Sequence, residues 1–211
     1  HPDGCNYDSG SCEFKPHVAL LTRNVKITSD ATGEVSCAIN PTGTRGTISI
    51  LDTSARFNAG YTEFHGLGRP FNLGSSPGRY ALHFHHVHNS GQFMSLIGNS
   101  IWDAQSVGIR IHHTDFLTVR DNVLYNIFGY GIAAEQGNEN ENVIDHNIVI
   151  DIPGCGNRPA HNEGVALGKQ ENGIGIFFMN GMNRITNNVV AGGASRSDYG
   201  VVLPPSIFMQ S

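Results

Sequence analysis

Short runs with alternating apolar positions recur along the chain, each beside a glycine: "VGIRIHH" from Val107, "YGIAAEQ" from Tyr130, "GIGIFFM" from Gly173 and "YGVVLPP" from Tyr199. Alternation with period 2 predicts one β-strand per repeat. A second unit, an asparagine followed by a small or branched residue and an apolar pair, is interleaved with the first. It reads "GNSIW" at Asn99, "DNVLY" at Asn122, "HNIVI" at Asn147 and "NNVVA" at Asn188, with an earlier copy "RNVKI" at Asn24. The spacings from Asn99 onward are 23, 25 and 41 residues, the last being one period plus an insertion. Short strands, a period of about 22 to 25 residues and asparagines at equivalent turns predict an all-β chain wound as a parallel β-helix. Stacked turn asparagines are expected to hydrogen-bond the backbone of the neighbouring coil, because turns leave amides unpaired. The L-x-x-L-x-L pattern of a leucine-rich repeat is missing, and a β-sandwich is the rival fold.

The repeats predict a single β-helix domain over residues 17–211, interrupted by one long loop at 153–172, "PGCGNRPAHNEGVALGKQEN". Loops of this length are usually functional or disordered. This one offers His161, Glu163 and Lys169 as substrate-facing groups. Residues 1–16 read as an irregular cap that needs a staple, and Cys5 with Cys12 is the expected disulfide. Cys37 with Cys155 is a weaker second pair, since four cysteines allow three pairings. Paired cysteines place the chain in an oxidising compartment, whereas free buried thiols would fit the cytosol. The absence of a C-x-x-C pair weighs against zinc on the cysteines.

Composition narrows the function. With 211 residues, 39% of them apolar, the chain can bury one full core. A net charge of -5 and only 13 Lys and Arg argue against nucleic acid as a partner. No apolar run approaches the roughly 20 residues of a membrane span, so no membrane insertion by this segment is expected. The opening "HPDGCNYDSG" lacks the signature of a signal peptide and reads as a processed product or an excised piece.

The stretch "ALHFHHVHNSG" (81–91) places His83, His85, His86 and His88 within six positions. Strand alternation turns Leu82 and Phe84 inward and leaves His83 and His85 outward, about 7 Å apart. The same rule applied to "GIRIHH" exposes Arg110 and His112, and applied to "GIAAEQ" exposes Ala133 and Glu135. Aligned coils give one column of His85, His112 and Glu135, and a second of His83, Arg110 and Ala133. Two imidazoles and a carboxylate on adjacent rungs suit a divalent metal ion such as Zn, Mn or Fe, or proton transfer. Arg110 is then the contact for an anionic group. His86 and His88 fall at or beyond the turn and read as ordinary surface histidines.

Four motifs extend this reading: "LLTRNVKI" (20–27), "RYALHFH" (79–85), "IRIHHT" (109–114) and "VRDNVLYNIFGYGIAAEQG" (119–137). In order and spacing they resemble the β-helical region of the cell-surface and secreted hyaluronidase family, the group of cell-migration-inducing hyaluronan-binding protein and transmembrane protein 2, and of the fibrocystin-like receptors. The resemblance covers residues 17 to 150. His83, His85, His112, Thr114, Asn122, Tyr125, Gly129, Gly131, Glu135 and Gly137 match its motifs. Ala81, Arg110, His113, Tyr130 and Gln136 stand where the family pattern has Pro, Thr, Gly, His and Asp. The resemblance implies a right-handed, extracellular or cell-surface parallel β-helix associated with an acidic polysaccharide, in some members with hyaluronan breakdown. A hydrolase or lyase would use His85, His112, Glu135 and Arg110 as catalytic groups, with His85, His112 and Glu135 as metal ligands. A glycan-binding face would add His83, His113 and Tyr130. The competing expectation is a structural or adhesive module that self-assembles or joins neighbouring domains of a longer chain, for which the apolar "SIFMQS" end is suited.

Overall fold

The computed structural model describes residues 17–29, 45–69, 80–134, 136–153, 173–192 and 199–203, together with the backbone of two short strands, Cys5–Asn6 and Ser11–Cys12. The two short strands pair antiparallel with Cys5 opposite Cys12. The side chains of all four cysteines lie outside the described residues, as does the loop from 154 to 172 with His161, Glu163 and Lys169.

Every other strand pairing among the described residues is parallel. Three ladders run side by side, and successive coils stack within each. The first ladder stacks Asn58–Gly60, Ser95–Ile97, Thr118–Arg120, Val143–Asp145 and Arg184–Thr186. The second contains Val25–Thr28 and Thr62–His65, then the opening residues of Ser100–Thr114 and Val123–Ala134. The third contains Ile48–Leu51 and Leu82–His88, then the closing residues of those same two long strands. This is the expected parallel β-helix. The steps between paired residues are 23 residues from Ser95 to Thr118 and 25 from Thr118 to Val143, as the asparagine spacing predicts.

The coil turns where backbone enters the left-handed region. After the second ladder the residues on successive rungs are Gly66, Asp103, Asn126, Asp151 and Gly192, all at φ between 52 and 68°. Glycine, asparagine and aspartate tolerate that conformation best. After the third ladder the same role falls to Asp52, His86 and His113, at φ 72, 54 and 45°.

The interior is filled by like residues on neighbouring rungs. Leu96, Val119 and Ile144 form one column, Ile101, Leu124 and Val149 a second, and Ile109, Ile132 and Ile176 a third, all fully buried. Each such side chain contributes about 1.5–3 kcal/mol relative to exposure. The recurring glycines have a steric cause. A Cβ on Gly131 would lie 2.5 Å from the Gly175 carbonyl and 2.7 Å from Val149 Cγ1, so only glycine lets the neighbouring rung approach this closely.

The asparagine ladder forms as predicted, with one correction. Asn99, Asn122, Asn147 and Asn188 are linked rung to rung. Asn24 is not their first member. Register aligns Asn99 with Thr62 and Thr62 with Val25, so Asn24 is one residue out of phase and exposed. A second ladder runs from the Leu117 amide through Asn142 to Asn183.

Candidate histidine site

The third ladder positions the histidines. His85 pairs with His112, and His83 with Arg110, on adjacent rungs of the strands Leu82–His88 and Ser100–Thr114. Ala133 pairs with Arg110, which completes the second expected column. Glu135, expected to extend the first column, lies outside the described residues.

The ring of His85 lies 5.0 Å from His83 and 4.8 Å from His112, and the His83 and His112 rings are nearly parallel at 6.1 Å. Each of the three offers a ligand atom, and these atoms all lie within 4.8 Å of one another. His83, expected as a substrate contact, is thus grouped with the two histidines expected as ligands. A second triad of His86, His112 and His113 meets the same distance condition. In it, His86 and His113 stack at 4.5 Å with an interplanar angle of 18°. They are the left-handed corner residues that follow His85 and His112, so the bend that turns the coil also brings their rings together.

The expected exposure of the second column is wrong. His83 is 4% exposed, Arg110 1% and Ala133 0%. The outer side of these strands carries its own apolar layer of Tyr80, Val107, Ala133, Ile174 and Phe177, against which Tyr130, Met179 and Val202 pack. Arg110 lies over the Tyr80 ring, its Cζ 5.3 Å from the centroid, and Tyr80 meets His83 edge-on at 5.0 Å. Tyr130, expected to offer a stacking surface, instead stacks on Phe177 at 5.6 Å.

Burial lowers the His112 pKa to about 3, and the Arg110 charge and the neighbouring His113, His85 and His86 act in the same direction. Burial and His86 lower that of His113 too, against the opposing pull of Glu139. Both rings are therefore neutral near pH 7, the form in which imidazole ligates a metal ion. The His113 amide donates to Glu139 Oε1 at 3.2 Å, and the Asn138 side-chain amide lies 2.8 Å from His113 Nδ1. Several imidazoles, with no thiolate among the described residues, suit zinc, copper, nickel or cobalt better than calcium or magnesium.

Fold and site define a parallel β-helix that gathers six histidines at one corner of two adjacent coils. Residues 43–207 match the family described as CEMIP β-helix, and the chain belongs to it. The expected fibrocystin likeness is found as well. Human fibrocystin-L is 29% identical over 134 residues, covering 63% of this chain and 3% of that protein. Mouse fibrocystin-L is 28% identical over 134 residues, with the same coverage of each chain. A G8 domain-containing protein of Dictyostelium discoideum is 27% identical over 143 residues, covering 67% of this chain and 9% of that protein. The chain thus spans a small part of the length of the curated relatives it matches. No solved structure is significantly similar to it. Among the described residues no helix is long and apolar enough to cross a membrane.

Proposed function

We propose that this β-helix is an extracellular module that engages an acidic polysaccharide at the histidine corner, with a divalent metal ion held by His83, His85 and His112. The observation that carries the reading is the meeting of three imidazole ligand atoms within 4.8 Å on adjacent rungs. The buried Arg110 guanidinium supports the acidic character of the ligand, since its positive charge acts on the adjacent His112 ring. Arg110 is a positioning residue here, because its burial keeps it from touching a chain outside. A bound metal ion would supply a Lewis acid for a uronate carboxylate. In a hydrolase or lyase, His85, the least enclosed of the inner three, would accept or donate the proton. Membership in the CEMIP β-helix family makes a hyaluronan-like polymer the natural first substrate to try.

The test is binding of hyaluronan oligosaccharides and of a neutral oligosaccharide by calorimetry, before and after metal removal by a chelator. Binding of the acidic chain alone, weakened at least about tenfold by chelation and by His85→Ala, is expected. Equal binding of the neutral chain, or none of either, would remove the acidic-glycan reading.

A second reading is favoured by the terminal rungs. Val25, in the first described rung of its ladder, is 59% exposed, and Val201, in the strand Tyr199–Val202 that pairs with Ile174–Phe178 at the end of the third ladder, 47%. Apolar edges that no strand among the described residues covers are of the kind that join other strands, as in a structural or adhesive module packed against neighbouring domains. Concentration-dependent assembly in analytical ultracentrifugation, without glycan binding, is the outcome that reading requires.

A further inference from the structure

The two histidine triads share His112 but differ in access. His83 is buried, whereas His86 is exposed and His113 partly so. We propose that the outer triad, His86, His112 and His113, is the loading seat through which a transition-metal ion reaches the inner triad of His83, His85 and His112. This rests on the reading of the inner triad as the resident metal site.

Three observations support the relay. A neutral imidazole has one lone pair for a ligand bond, so His112 can serve one ion at a time and the seats are alternatives. The seats are contiguous: the His86 ring lies 4.3 Å from His85 and 5.2 Å from His112. His88 stands beside the outer pair, 5.7 Å from His86 and 6.1 Å from His113, extending the row of imidazoles toward solvent. Passage inward is a ligand exchange in which bonds from the ion to His86 and His113 break as bonds to His83 and His85 form. No proton or electron moves. An ion arriving from water thereby sheds its hydration shell in steps, each replaced by an imidazole.

The experiment is stopped-flow uptake of cobalt(II) by the chelator-stripped chain, followed by the visible absorption of the bound ion. The variants are His86→Asn, His113→Asn, His83→Ala and His85→Ala. Asparagine is chosen at the corners because it tolerates their left-handed backbone. Thermal melts check that every variant folds. The relay predicts one ion per chain and an unchanged final spectrum in both Asn variants, with uptake slowed several-fold. It predicts that His83→Ala and His85→Ala keep fast uptake but bind weakly, with an altered spectrum. Uptake at the wild-type rate in both Asn variants, with tight binding lost in the Ala variants, overturns the relay and leaves the inner site standing. Two ions bound at once also overturns the relay. Cobalt bound equally well after His83→Ala and His85→Ala, or not bound by the wild type, overturns the inner site and the relay with it.

Discussion

Asn122 is tied twice to one atom of Asn147: its backbone amide and its side-chain amide donate to Asn147 Oδ1 at 3.1 and 3.0 Å. Asn147 repeats the arrangement with Asn188 and also donates to the Val119 carbonyl at 3.0 Å. Asn122 and Asn147 are themselves fully buried, so no water replaces a partner lost between them. Asn147→Ala is therefore expected to lower stability by about 3 kcal/mol in urea unfolding, the cost of orphaned buried amides. Asn24→Ala, out of phase and exposed, is expected to stay within about 0.5 kcal/mol of wild type. Equal effects at the two positions would contradict the ladder.

The close approach at Gly131 makes a second contrast. Gly131→Ala forces a Cβ against the Gly175 carbonyl and the Val149 side chain and should cost about 1–3 kcal/mol. Gly181, with nothing within 4 Å of a built Cβ, should accept alanine with little change. Thermal unfolding of the two variants checks this.

The depressed His112 pKa has a pH signature in the metal-free chain. Folded His112 takes up its proton only near pH 3, whereas in the unfolded chain it does so near 6.5. Between those values the unfolded state binds more protons, so stability falls as pH is lowered from 6.5 toward 3 and this contribution levels off below. Chelator-treated wild type should lose stability over this window faster than His112→Gln. Parallel stability-versus-pH curves for the two would count against the neutral imidazole.

The register of the coils was readable because the two repeats that mark it, asparagine at one turn and glycine where adjacent rungs come closest, have local steric and hydrogen-bonding causes. The pairing of His85 with His112 and of His83 with Arg110 followed from alternation alone. Burial of Arg110 did not, because alternation sorts inward from outward but is silent on what covers the outside. That layer is assembled from separate coils by Val107, Ala133, Ile174 and Phe177. The one local sign was "IGIFF", where Phe177 and Phe178 face opposite ways and both are buried. Asn142 and Asn183 each precede isoleucine by two positions, as "NVI" and "NRI", a repeat as plain as the first. The role of His86 depended on a left-handed corner that periodicity does not encode.

The central claim is that His83, His85 and His112 hold a metal ion. The most direct measurement is elemental mass spectrometry on the purified chain after zinc loading and extensive dialysis, beside His83→Ala, His85→Ala and His112→Ala. About one tightly held ion per chain in the wild type, lost in all three variants, is predicted for a three-imidazole site. A wild type without metal, or variants that retain it, would contradict the account.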